Sequence, residues 1–162
     1  AKLYSAEILL ALCHIHARRT IFRDLKPDNV VIDHERHALL TDFGLSKEGV
    51  KGLQGAKSFC GSLAFLAPEI LLRRSHGHPV DIYNLGVLLF DMLTGRPPFF
   101  DSDPDQLFAN IKRACLEVPK YVPEAARDLI LATMVRDPSK RLGASQTAEL
   151  KGHDFFKGLD FE

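Results

Sequence analysis

Along the first part of the chain, Leu3, Ile8, Leu12 and Ile15 fall near helical spacing with alanines between them. That pattern predicts a long, largely buried helix over Ala1–Arg19. The apolar runs then shorten. "NVVID" (Asn29–Asp33) and "HALLTD" (His37–Asp42) are too short for helices, and "HERH" separates them, which predicts a tight β-hairpin. Gly44–Ser58 has no apolar period and carries Gly44, Gly49, Gly52 and Gly55 among lysines, so it reads as a long, mobile surface loop.

From Ala67 the helical period returns. "APEILL" places a proline at a helix start. Val80–Gly95 is apolar almost all round and predicts a central buried helix ending at a glycine cap. "RPPFF" breaks it. Asp105–Ala114 and Glu124–Val135, entered after Pro104 and Pro123, predict two further amphipathic helices. The fold class is mainly α, a helical bundle with one small β-hairpin, and no repeat or linker divides it.

One polar stretch interrupts this layout. In "TIFRDLKPDNVVID" (Thr20–Asp33), Arg23, Asp24, Lys26, Asp28 and Asn29 crowd together before an apolar strand. A helix would spread them around its circumference and Pro27 would disrupt it. A strand would bury about half of them. The stretch is best read as a loop that gathers charged groups at one point.

Composition narrows the class. The 162 residues suit one domain, and hydrophobic content of 46% with 26% charged residues is that of a globular protein. Lys+Arg and Asp+Glu both number 21, which gives no basic excess for nucleic acid or anionic membrane. Cys13, Cys60 and Cys115 are scattered and odd in number, which argues against a disulfide framework and fits a reducing, intracellular, cytoplasmic setting. The apolar runs Ile8–Cys13 and Leu85–Phe90 are far shorter than the ~18 residues of a membrane span. There is no signal peptide. The chain begins at Ala1 inside an amphipathic pattern and reads as a fragment.

Three motifs stand in order: R-D-L-x-x-x-N from Arg23 to Asn29, D-F-G at Asp42–Gly44 and A-P-E at Ala67–Glu69. Singly they are weak; in this order and spacing they are highly specific. The chain resembles the C-terminal (large) lobe of a eukaryotic protein kinase. "SFCGS…FLAPEIL", "DPSKRLGA" and "HDFFKGLDFE" are similar to the AGC group of Ser/Thr kinases.

That resemblance implies a division of labour. Phosphoryl transfer asks the protein for positioning and charge neutralisation. By resemblance, Asp24 orients the substrate hydroxyl and accepts its proton, and Lys26 contacts the transferring phosphate of ATP. Asn29 and Asp42 supply oxygen ligands to Mg²⁺, brought to one end of the hairpin. Phe22, where the family carries His or Tyr, is expected to stack beneath Phe43. Asp81 is expected to accept hydrogen bonds from the Phe22–Asp24 backbone, and Glu69 to form a buried ion pair with Arg141. Ser62 keeps a hydroxyl directed toward Asp24 and Lys26. Asp28 and Asp91 match acids that recognise arginines upstream of the target hydroxyl. Ser58 is the expected regulatory phosphosite, with Arg23 and Lys47 placed to receive its phosphate. An upstream kinase or autophosphorylation would modify it.

The resemblance also marks what the sequence lacks. The glycine-rich phosphate loop, the strand lysine and its glutamate partner do not occur in the 162 residues, so residues 1–162 read as the C-terminal lobe only. Such a fragment is expected to be inactive alone. Ala64 stands where the family carries an acid, and "DIYN" (Asp81–Asn84) replaces the usual tryptophans and serine. Gly49, Gly52 and Gly55 follow no strand and are not a nucleotide fingerprint. His14 with His16, and His76 with His78, lack the partners of a zinc site. The implied function is a protein serine/threonine kinase. The alternative is a pseudokinase or scaffold that binds protein partners without catalysis.

Overall fold

A computed structural model describes residues 1–161. Its first element is helix α1 (Lys2–Ala17), with Ser5, Ile8, Leu9 and Leu12 buried on one side. Strands β1 (Val30–Ile32) and β2 (Ala38–Leu40) form the antiparallel hairpin, in register Val30↔Leu40, Val31↔Leu39 and Ile32↔Ala38. Asp33 makes the turn: its Oδ1 accepts from the amides of Glu35 and His37, both at 2.9 Å.

Four further helices follow: α2 (Pro68–Leu71), α3 (Pro79–Thr94), α4 (Pro104–Arg113) and α5 (Glu124–Thr133). Proline opens α2, α3 and α4, where its missing N–H has no helical acceptor to lose. Every residue of α3 from Pro79 to Phe90 is buried. Gly95 ends it with φ +83°, the left-handed value that a glycine adopts most easily.

Helix α3 is the axis of the core. It packs on α5, where Gly86 permits a close approach: a Cβ there would lie 2.4 Å from Thr133 Oγ1. Helix α1 packs on α3 and β2, and on a 3-10 turn at Thr147–Gly152. Leu9, Leu12, Leu25, Ile82, Leu89 and Leu150 are all fully enclosed. Each such side chain contributes about 1.5–3 kcal/mol by leaving water. Glu7 fastens α1 to the hairpin; its Oε2 accepts from the Ala38 amide at 2.8 Å and its Oε1 lies 2.6 Å from His37 Nδ1.

One expectation is corrected. Gly44–Ser58 is not a free surface loop. After a 3-10 turn at Phe43–Leu45, its backbone pairs Lys47 with Ile21 and Ala56 with His76. Val50 and Ala56 are buried together with Ile21 as a second small core. Gly77 abuts the Gly52 carbonyl so closely that a Cβ at position 77 could not fit. The segment is pinned at separate points by single small residues, and such sparse anchors leave no periodic signal.

Candidate active site

The polar loop is built around one carboxylate. Asp81, in the first turn of α3, is fully buried. Its Oδ2 accepts from the Phe22 amide at 2.8 Å and its Oδ1 from the Arg23 amide at 2.7 Å. His16, at the end of α1, places Nε2 2.7 Å from Asp81 Oδ2 and Nδ1 2.7 Å from Thr147 Oγ1. Because an ionised carboxylate only accepts, His16 donates from Nε2 to Asp81, and its Nδ1 shares a hydrogen bond with the Thr147 hydroxyl. These donors offset the desolvation of the buried Asp81. They also hold Arg23 at φ +72°, a conformation that costs a non-glycine residue of order 1–3 kcal/mol.

Held in this way, the loop presents a connected polar cluster. Asp24 is buried, and its Oδ2 lies 3.0 Å from Lys26 Nζ. Asn29 Nδ2 donates to the Asp24 carbonyl at 2.8 Å and to Asp24 Oδ2 at 2.9 Å. From the far side, the Ser62 amide and hydroxyl both donate to Asp24 Oδ1 at 3.1 Å, and Lys26 Nζ donates to the Ser62 hydroxyl at 2.8 Å. Charge-assisted bonds of this kind are the strong class and fix side-chain direction.

Asn29 closes a 3-10 turn (Pro27–Asn29) one residue before β1, rather than opening the strand itself. Its carbonyl accepts from the Thr41 amide at 2.9 Å, so the hairpin brings Asn29 beside Thr41-Asp42. Asp42 is exposed, has φ +59°, and its Oδ1 accepts from the Gly44 amide at 3.1 Å. A Cβ on Gly44 would come within 3.0 Å of that oxygen. Phe22 meets Phe43 edge-on, with ring centroids 5.1 Å apart and planes at 76°, rather than stacking beneath it. The positive ring edge against the negative face favours that arrangement.

Arg23, named by resemblance as a receiver of a Ser58 phosphate, meets the unmodified Ser58 here. Its side chain is already engaged: Nε donates to the Leu45 carbonyl and Nη1 to the Ser58 hydroxyl, both at 2.6 Å. Both partners are neutral, so this buried guanidinium has no carboxylate among the described residues. Lys47 reaches the same region through its backbone pairing with Ile21.

Farther out, Arg141 donates from Nη1 to Glu69 Oε1 at 2.6 Å and from Nη2 to Glu69 Oε2 at 2.7 Å, both side chains being buried. Asp28 is exposed in the 3-10 turn, and Asp91 is half-buried in the last turn of α3. Burial raises the Asp91 carboxyl above its usual range. The structure does not join Asp28 and Asp91 to the Asp24 cluster by any hydrogen bond or ion pair among the described residues.

Sequence reasoning missed His16 as a support of the loop. Its signal was its position, continuing the Ile8–Leu12 buried stripe at a spacing of four.

A family model described as "Protein kinase domain" matches residues 1–156. "Ribosomal protein S6 kinase beta" of Caenorhabditis elegans is 45% identical over 99% of this chain and 30% of its own length. "Serine/threonine protein kinase ypkA" of Aspergillus fumigatus is 44% identical over 99% of this chain and 26% of its own. "Serine/threonine-protein kinase gad8" of Schizosaccharomyces pombe is 41% identical over 100% of this chain and 28% of its own. The chain therefore spans under a third of the length of these relatives.

Proposed function

The chain belongs to the protein kinase domain family, and from that premise we propose that it is the C-terminal lobe of an AGC-like serine/threonine kinase, carrying the catalytic loop and the substrate platform. The observation that carries the reading is the single cluster of Asp24, Lys26, Asn29 and Ser62 around one buried carboxylate. A scaffold that binds partners without catalysis has no use for such a set.

In this reading Asp24 would accept the proton of a Ser or Thr hydroxyl as its oxygen bonds to the γ-phosphorus of ATP and the bond from that phosphorus to the departing ADP breaks. Lys26, tied to both Asp24 and Ser62, sets the direction of that carboxylate and holds positive charge where the transferred group develops negative charge. Protein kinases use ATP and Mg²⁺, which supply the phosphoryl group and the neutralising cation. The residues fit them. Asn29 commits its Nδ2 to Asp24, which leaves the hard carbonyl Oδ1 as the end available to a cation. Asp42 is an exposed carboxylate in a left-handed turn, shaped by the adjacent Gly44.

Asp28 and Asp91 serve as the acids that favour arginine upstream of the target residue; a guanidinium against the half-buried Asp91 would lower its raised pKa again. Ser58, whose hydroxyl already sits on Arg23, is the regulatory phosphosite, modified by an upstream kinase or by the enzyme itself. We place the protein in the cytoplasm; no helix of the described residues is long and apolar enough to cross a membrane.

The test is phosphotransfer from Mg·ATP to a serine peptide by the full-length protein. Asp24→Asn and Asp42→Ala should each abolish it. Unchanged turnover in either variant overturns the assignment. A peptide library without enrichment for upstream arginine would remove the roles of Asp28 and Asp91 alone.

A further inference from the structure

His76 lies in the loop between α2 and α3 and is 2% exposed. Its backbone pairs with Ala56 in both directions, at 3.0 and 2.9 Å. The Nδ1 atom lies 3.2 Å from the Arg74 carbonyl, which places a proton on Nδ1 and leaves Nε2 as a bare lone pair. Among the described residues Nε2 is buried without a hydrogen-bond partner. Buried polar atoms of that kind are few in folded proteins and destabilise them. Neither the packing of the fold nor the Asp24 cluster uses it.

The charges facing His76 come from the elements packed around it: Arg23 of the polar loop, Lys47 of segment 44–58 and Glu69 of α2. Burial keeps the imidazole below its ordinary pKa. The Arg74 carbonyl and Glu69 oppose this, while Arg23 and Lys47 add to it. The ring is therefore neutral at pH 7. Glu69 is already neutralised by Arg141. Arg23, in turn, holds the Ser58 hydroxyl at 2.6 Å, two residues beyond the Ala56 that pairs with His76. Arg23 thus links the two residues: it holds the Ser58 hydroxyl and, with Lys47, places positive charge on the unpaired imidazole, with no free acid among the groups that face His76.

We propose that His76 is a proton-linked member of the anion site that receives a phosphate on Ser58. The proposal rests on the Ser58 reading above and adds a residue to it. A phosphoserine brings about −1.5 to −2 charge and several acceptor oxygens. His76 Nε2 takes up a proton from solvent, and the resulting N–H donates to a phosphate oxygen. No covalent bond changes. The phosphate raises the His76 pKa, so the added hold on segment 44–58 is present below the raised value and is lost as pH rises through it.

The test uses the full-length protein with phosphoserine installed at position 58, beside the unmodified protein. The His76 imidazole is titrated by NMR, with its peak assigned through the backbone and by its loss in His76→Gln. The midpoint should rise by about 1–3 pH units on modification. Dephosphorylation of position 58, measured relative to a free phosphopeptide of the same sequence, should be at least about tenfold slower at pH 6 than at pH 9. That pH dependence should vanish in His76→Gln. An unmoved midpoint overturns the proposal, and because it is read in the unsubstituted protein, a folding defect in the variant does not obscure it. If Arg23→Ala removes the protection while the His76 midpoint stays fixed, the Ser58 reading stands and this one fails. If phosphoserine 58 is cleaved as fast as the free peptide at every pH, both fail.

Discussion

Ser62 meets Asp24 twice across a gap of 38 positions: its amide and its hydroxyl both donate to Asp24 Oδ1 at 3.1 Å. The same hydroxyl accepts from Lys26 Nζ at 2.8 Å. One small side chain therefore links the far end of segment 44–62 to both charged groups of the polar loop. Gly61, at φ +107°, makes this possible, since a Cβ there would press to 3.0 Å from the Arg23 carbonyl.

Ser62→Ala keeps the amide bond and loses both hydroxyl bonds. Hydrogen bonds to charged groups contribute about 1.5–3 kcal/mol, so kcat of the full-length protein should fall roughly 10- to 100-fold. KM for ATP should change less than kcat, because of the residues assigned to ATP and Mg²⁺ only Lys26 is tied to the Ser62 hydroxyl, while Asn29 and Asp42 are not. Ser62→Thr should restore most of the rate. Steady-state kinetics on the two variants decide the matter; equal rates for Ala and Thr would show the hydroxyl to be dispensable.

The Glu69–Arg141 pair predicts a stability effect. Both side chains are buried and joined by two bonds, and the Arg141 guanidinium also lies 4.9 Å from the Tyr83 ring centre. Glu69→Gln leaves a buried cation without its partner, which costs about 3–5 kcal/mol and should lower Tm by roughly 10 °C. Replacing both, as Glu69→Met with Arg141→Leu, should recover part of that loss. Calorimetry of the two singles and the double tests it; strictly additive losses would mean that the charges do not interact.

Histidines predict opposite pH slopes. The Glu7 carboxylate raises His37, by hydrogen bond first and by charge second. Its contribution is full below the ordinary imidazole pKa and is lost as pH rises through the raised value. Burial lowers His78, with nearby His16 acting the same way. Its contribution is full above the ordinary pKa and is lost as pH falls through the lowered value. Tm against pH should therefore decline on both sides of about pH 6.5. His78→Gln should lessen the acid slope, which buried His76 shares, and His37→Gln the alkaline one. A variant that leaves both slopes unchanged would remove that histidine from the pH response.

Much of this was legible in the sequence because the motifs are local. Asp24, Lys26 and Asn29 sit within one turn of chain, and the apolar runs around "HERH" could only fold back on one another. The apolar run of α3 announced a buried axis. What stayed hidden depends on contacts between distant elements. Val50 and Ala56 are single small residues among glycines and lysines, and only Ile21 makes them a core. His16 looked like one of two stray histidines until Asp81 and Thr147 were placed on either side of it. The bond from Arg23 to the Leu45 carbonyl stayed hidden for another reason: its acceptor is backbone, which no side-chain pattern encodes.

The outer face of the hairpin carries the last prediction. Val31 and Leu39, paired on that face, are 48% and 50% exposed, Ile32 on the opposite face is 44% exposed, and Phe43 just beyond the hairpin is 49% exposed. Among the described residues the sheet has two strands, and with the β2 edge held by Glu7 of α1 through the Ala38 amide, β1 presents the unpaired edge. Apolar side chains beside free backbone donors and acceptors favour association. The 162 residues expressed alone should therefore self-associate. Val31→Lys with Leu39→Glu, which are directly paired in the register, should shift them toward monomer without unfolding the bundle. Neither form should show phosphotransfer. The glycine-rich loop and strand lysine that position ATP are not in this sequence, and positioning of reactants is worth up to about 7–11 kcal/mol. Analytical ultracentrifugation and a phosphotransfer assay read the two outcomes separately. A wild-type chain that stays monomeric at high concentration would refute the patch, and turnover by that monomer would refute the division of labour between lobes.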